Sequence, residues 1–115
     1  MNICIGTAQI GNKYGVTNTK EFDLKTVNKF LNLALSNKNN YIDTANNYKS
    51  EKILGKYKRL NKFKVISKVA LNGLTISEKN LEKKIKKILS NLKLKKIYAL
   101  LIHDSFLFEK KELKY

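Results

Sequence analysis

Tyr41-Ile42-Asp43-Thr44-Ala45-Asn46-Asn47-Tyr48-Lys49-Ser50-Glu51 passes from a short apolar run, through a polar turn, into the start of a helix. Asp43 closes the strand expected over Tyr41-Ile42-Asp43, and Tyr48 stands on the loop just after it. Two further stretches repeat the arrangement: Lys68 closes the apolar run Val65-Ile66-Ser67-Lys68, and His103 closes Leu100-Leu101-Ile102-His103-Asp104. An acid, a phenol, an ammonium and an imidazole thus fall at the C-terminal ends of expected strands. In parallel β/α folds those ends, and the loops that follow them, carry the active site.

Outward from this stretch the chain alternates between short apolar runs and helical stripes. Upstream, Ile3 to Thr7 reads as a strand ended by Gly6-Thr7-Ala8, and Gly11-Asn12-Lys13-Tyr14-Gly15 is rich in loop formers. A helix follows from about Asp23 to Ser36. Asp23 is its N-cap, and Leu24, Val27, Leu31, Ala34 and Leu35 share one face. Asn37 to Asn40 breaks it. Downstream, a second helix is predicted from Ser50 to about Leu60 with Ile53, Leu54 and Tyr57 inward. Gly55 weakens it by about 1 kcal/mol relative to alanine.

Phe63 to Val69 reads as a third strand, and Asn72-Gly73 is a turn signal. Ser77 caps a third helix running to about Asn91, with Leu81, Ile85, Ile88, Leu89 and Leu92 at helical spacing. Ile97 to Ile102 is close to continuously apolar, as expected of a parallel strand covered on both faces. A fourth helix is expected from Ser105. Such alternation implies an α/β fold of parallel β/α units. Thr7, Asp43, Lys68 and His103 should then lie at one end of the sheet. A chain of 115 residues is ordinarily one domain, and no linker or low-complexity segment divides it.

Composition narrows the function classes. With 43% hydrophobic residues the chain can bury a core, which argues against wholesale disorder. Cys4 is the single cysteine, so no disulfide forms within the chain and no thiolate zinc site can be built. A reducing, cytoplasmic setting is the expectation. No signal peptide is visible, and no apolar run approaches the roughly 20 residues of a membrane helix. The net charge of +15 raises the question of a polyanion partner. The 24 basic residues are nearly all lysine, Arg59 being the one arginine, and they accompany abundant asparagine and isoleucine. That combination points to a coding bias toward A and T. Arginine's planar fork, the usual tool for phosphate and base recognition, is almost missing. The densest basic cluster, Lys83, Lys84, Lys86 and Lys87, lies on the polar side of its helix and reads as a solvated face. Nucleic acid is therefore not the expected partner.

The motifs resemble the N-terminal part of an aldo-keto reductase. Those that carry the resemblance are Gly6-Thr7-Ala8-Gln9 with Tyr14-Gly15; Tyr41-Ile42-Asp43-Thr44-Ala45 with Tyr48; Ser50-Glu51 with Leu54-Gly55; Val65-Ile66-Ser67-Lys68; and Leu100-Leu101-Ile102-His103-Asp104. The resemblance implies a partial (β/α)8 TIM barrel, about its first four β/α units, with residues 1–115 as the N-terminal half. It implies reduction of a small carbonyl substrate with NADPH, which gives a hydride to the carbonyl carbon. Asp43, Tyr48, Lys68 and His103 match the catalytic tetrad. Tyr48 matches the proton donor. A phenol ordinarily titrates near 10, and an adjacent ammonium lowers that value. Lys68 matches that ammonium, Asp43 the carboxylate that holds it, and His103 the histidine that orients the substrate oxygen. Gly6, Thr7 and Asp43 match positions near the cofactor's nicotinamide end.

Two departures from the family pattern stand out. Lys49 occupies the place of a glycine that usually follows the tyrosine. The length also falls well short of the roughly 250 residues of a whole barrel. The family's later strands hold the nicotinamide clamp and the grip on the 2′-phosphate. The expected partner is accordingly a C-terminal half, or a second copy of the chain. Two other readings stay open: a non-catalytic half-barrel that serves as an interaction module, and a basic polyanion binder.

Overall fold

The computed structural model describes residues 3–11, 22–70 and 77–103. The expected fourth helix, Asn72-Gly73, Tyr14-Gly15 and Asp104 lie outside them. Four strands, β1 (Cys4–Gly6), β2 (Tyr41–Asp43), β3 (Lys64–Val69) and β4 (Ala99–Ile102), alternate with three helices, α1 (Leu24–Ser36), α2 (Ser50–Leu54) and α3 (Glu78–Leu92). The strands form one sheet in sequential order, every neighbouring pair parallel.

Helices α1 and α3 begin where capping chemistry dictates, whereas α2 starts after Lys49 with no side-chain cap. Asp23 is extended, and its side chain accepts from the Thr26 N–H at 2.7 Å, satisfying one of the orphan donors of α1. Ser77 does the same for α3 through the Asn80 N–H at 3.2 Å. Lys93 ends α3 in the left-handed region, φ 53°, and the Leu94 N–H reaches back to the Leu89 carbonyl. That is a Schellman closure made without glycine.

The predicted extent of α2 needs correction. The helix stops at Leu54 rather than running to Leu60, and a short 3-10 turn over Leu60–Lys62 follows. The reason lies at Gly55, where a Cβ would stand 2.1 Å from the Asn91 carbonyl oxygen. The chain passes so close to the C-terminal end of α3 at this point that only glycine fits.

Side chains alternate across each strand. Ile5, Ile42, Val65 and Val69 point to the helix side and are buried there with Val27, Leu31, Leu54, Ile88 and Leu92. The other face carries Cys4, Asp43, Ile66, Lys68 and Leu101, none of them buried. β4 therefore departs from the expectation of cover on both faces: Leu101 and Ile102 are exposed. At the opposite edge Ile3 is exposed, as are Phe30 and Leu33 on α1. A closed barrel removes such edges by pairing the first strand with the last. Four strands leave one at each side. No helix among the described residues is long and apolar enough to cross a membrane.

Candidate active site

Parallel pairing carries the C-terminal ends of all four strands to one end of the sheet. Thr7 follows β1, Asp43 ends β2, Lys68 lies near the end of β3, and His103 follows β4. Backbone bonds continue the ladder through these ends: Thr7 N–H to Asp43 O at 3.1 Å, Lys68 N–H to Thr44 O at 3.0 Å, and His103 N–H to Val69 O at 2.9 Å.

Asp43 and Lys68 point to the open face, and the Lys68 ammonium donates to Asp43 Oδ1. Both side chains are partly exposed, at 35% and 25% respectively. Solvent therefore screens the pair but does not dissolve it. Tyr48 stands across the loop with its ring edge-on to His103, centroids 6.4 Å apart and planes at 88°. The four residues thus form two couples, an ion pair and a ring pair. Among the described residues no hydrogen bond joins the Tyr48 hydroxyl to Lys68.

Gly6 pairs in register with Asp43 and opens onto the same face. A Cβ built there would meet no atom within 4 Å. The space directly over Gly6 is therefore open. Cys4, two residues earlier on this face, feels the pair: partial burial pushes its thiol up, the Asp43 carboxylate adds to this, and the Lys68 ammonium opposes it. Thr7 behaves differently from its expected place beside a cofactor. Its side chain is buried on the helix side, and its hydroxyl donates to the Asp43 carbonyl at 2.9 Å and lies 3.3 Å from Ser50 Oγ. It holds the strand end from behind. Lys49 sits in the right-handed region, φ −65°, where any residue is at ease, so replacing the usual glycine costs no backbone strain.

Sequence reasoning missed the residues that fix the loop. Asn46 acts as an added rung on β3: its side chain accepts from the Ala70 N–H at 2.9 Å and donates to the Ala70 carbonyl at 3.4 Å, while its own N–H reaches Lys68 O at 2.8 Å. Ser50, Glu51 and Ser67 are buried polar side chains that no hydrophobic periodicity could flag. Their signal in the sequence was membership of motifs: Asn46 lies between Asp43 and Tyr48, Ser50-Glu51 is itself one of the motifs of the resemblance, and Ser67 belongs to the run that ends at Lys68. No group of three or more potential metal ligands occurs among the described residues.

Comparison with known proteins gives this arrangement a lineage. No curated protein matches the chain. Among solved structures it is similar to PA4992 of Pseudomonas aeruginosa, described as an aldo-keto reductase. The TM-score is 0.75 and the identity 27%, over 89% of this chain and 42% of that one. It is also similar in fold to the thermostable aldo-keto reductase Tm1743, solved with the inhibitor epalrestat. There the TM-score is 0.66 and the identity 23%, over 86% of this chain and 36% of that one. The chain thus spans less than half the length of these relatives, and its sheet corresponds to part of their TIM barrels. The profile of the Aldo/keto reductase family matches residues 2–109, nearly the whole sequence, and the protein belongs to that family.

Proposed function

We propose that this chain supplies the proton-transfer half of a nicotinamide-dependent carbonyl reductase. The observation that carries the reading is the Lys68–Asp43 pair on the open face, together with the ring contact of Tyr48 and His103, all four residues following or ending strands at one end of the sheet. In this reading Tyr48 holds the proton destined for the carbonyl oxygen. Lys68 provides the positive charge that eases its release, and Asp43 fixes the Lys68 head group. His103 orients the substrate oxygen. NADPH, when bound, supplies the hydride. The open space over Gly6 suits a flat ring lying against the sheet, so the residues present fit its nicotinamide end.

The remaining β/α units of a barrel would seat on the two unpaired edges. Ile3, Phe30 and Leu33 form one seat, and Leu101 and Ile102 the other. Holding hydride donor and acceptor at reacting distance supplies about 7–11 kcal/mol of such a barrier. That positioning depends on the whole barrel. The 115-residue chain alone is thus expected to reduce carbonyls negligibly. Co-expression with strands five to eight of a related reductase should restore NADPH oxidation in the presence of an aldehyde, and Tyr48→Phe should then abolish it. Rescue that is indifferent to Tyr48→Phe would show the acid to be misassigned. Rapid turnover by the chain alone would refute the division of labour.

A further inference from the structure

Behind the open face lies a second, buried layer of polar groups, and strand alternation relates the two layers residue by residue. Thr7, Thr44 and Ser67 are the chain neighbours of Gly6, Asp43 and Lys68, turned to the opposite side of the sheet. All three are essentially inaccessible to solvent, as are Ser50 and Glu51. Ser50 Oγ lies within hydrogen-bond distance of Thr7 Oγ1, at 3.3 Å, and shares a hydrogen bond with Thr44 Oγ1 at 3.0 Å. Glu51 Oε1 accepts from Ser67 Oγ at 2.9 Å, and Oε2 accepts from Asn91 Nδ2 at 3.2 Å. Two consecutive residues at the start of α2 therefore bind the back of β1, β2 and β3, and Glu51 also binds α3.

A carboxylate fully removed from solvent is costly unless each oxygen finds a donor. Here each does, and the donors come from different elements. The arrangement is rigid because Glu51 can satisfy both only in one placement of α2. Tyr48 stands three residues before Glu51, joined to α2 by Lys49 alone, and has its own N–H on the Ala45 carbonyl at 3.0 Å.

We infer that Glu51 is a positioning residue for Tyr48: by binding Ser67 and Asn91 it locks the first turn of α2 and thereby holds the Tyr48 ring against His103, at the same end of the sheet as the Lys68–Asp43 pair. This rests on the reading above in taking Tyr48 as the proton donor. The hydroxyl of Ser67 makes the coupling direct, since the next residue on β3 is Lys68 itself. One carboxylate thus sets the spacing between the strand that delivers the ammonium and the loop that delivers the phenol. A displacement of about 1 Å at such a site is enough to cost a hundredfold in rate.

Proton NMR of the full chain with labelled tyrosine rings reads the effect without any turnover. It is therefore independent of whether the reductase reading holds. The Tyr48 ring lies beside the His103 ring, so its resonances are displaced from those of free tyrosine. Glu51→Ala should return them most of the way. It should leave the resonances of Tyr57, which packs on Phe63, where they were. Ser67→Ala, which spares the bond to Asn91, should produce a smaller shift of the same kind and carries the test if Glu51→Ala fails to fold. Glu51→Gln can still accept from Asn91 and donate to Ser67, and should restore the native resonances. Tyr48 resonances unchanged in both alanine variants would overturn the proposal. So would Tyr48 and Tyr57 shifting together, no restoration by Glu51→Gln, or unfolding by Ser67→Ala, since each makes Glu51 a group of general stability.

Discussion

Gly55→Ala sets two forces against each other with opposite signs. Helix propensity alone favours alanine by up to about 1 kcal/mol at a helix interior. Packing opposes it. The new Cβ would stand 2.1 Å from the Asn91 carbonyl oxygen and 3.1 Å from the carbonyl carbons of Asn91 and Leu92. These are backbone atoms, so no side chain can rotate away. Restoring an ordinary separation moves α2 and α3 apart by about 1 Å, in an interior with little free volume. Overpacking of this kind costs about 1–3 kcal/mol. The same movement stretches the 3.2 Å bond from Asn91 to Glu51 beyond reach. The buried Glu51 oxygen left without its donor adds about 1–3 kcal/mol. Adding the two costs and subtracting a propensity gain of about 1 kcal/mol leaves a net loss of about 1–5 kcal/mol, with a midpoint of about 3 kcal/mol. That corresponds to a fall in Tm of about 10–20 °C for a domain of this size. Urea unfolding followed by circular dichroism measures it, with the midpoint moving at constant slope. A variant as stable as the parent, or more stable, would refute the close approach of α2 to α3 and with it the account of why α2 ends early.

Three further outcomes are expected. The Cys4 thiol, pushed up by partial burial and by Asp43, should alkylate more slowly than an ordinary free thiol at neutral pH. Asp43→Asn should lower the midpoint of its pH–rate profile, because only the opposing Lys68 charge then remains; an unmoved midpoint would mean that Cys4 and the ion pair are not neighbours. Glu51 is held above its ordinary value of 4.5 by burial, against the Asn91 and Ser67 hydrogen bonds and the Lys87 charge. The folded state therefore binds its proton more tightly than the unfolded state, and the contribution of Glu51 to stability falls as pH rises from about 4.5 through the folded value. Unfolding free energies for the parent minus Glu51→Gln should decline across that window, by no more than about 1.4 kcal/mol per pH unit, and a flat difference would show Glu51 unperturbed. Leu33→Lys and Leu101→Lys should weaken association with a complementing half-barrel in sedimentation while leaving the circular dichroism of the chain unchanged, since both side chains are already exposed.

Much of this architecture was legible because it is periodic. The stripe of α3 and the apolar runs of β3 and β4 announce their elements, and Asp23 and Ser77 announce where helices start, since a short side-chain oxygen ahead of an apolar period has a defined partner in the first turn. Ends were less legible. α2 stops at Leu54 because of a carbonyl from residue 91, a contact between positions far apart in the chain that local propensity cannot register. The apolar run of β4 read as doubly covered, yet Leu101 and Ile102 are exposed, since composition records what a strand could bury rather than what lies beside it. At the site, the sequence singles out residues with ionisable or aromatic side chains at strand ends, and the fold brings Lys68 to Asp43 and Tyr48 to His103. Those that orient them are not singled out in the same way. Ser67 and Thr44 look in sequence like ordinary polar residues, and only the fold shows that they face inward and bind Glu51 and Ser50 of α2.

The two layers of polar groups suggest how the parts of a reaction divide along such a chain. Among the described residues, the contacts around Asp43, Lys68 and Tyr48 are the ion pair across β2 and β3, the Asn46 rung on Ala70, and the Ser50 and Glu51 anchors of α2. The geometry that the proposed proton transfer would use is in that sense local. His103 is the exception in kind, since it follows the exposed edge strand β4 and its side chain is exposed. A complementing half that pairs with β4 would order the flank on which His103 stands while touching none of the Asp43–Lys68 contacts. Assembly should therefore sharpen the His103 imidazole signals in NMR and leave those of the Asp43–Lys68 pair nearly where they were. Large changes at Asp43 and Lys68 on assembly, with His103 indifferent, would show that the proton-transfer site is formed by closure of the barrel rather than within these four units.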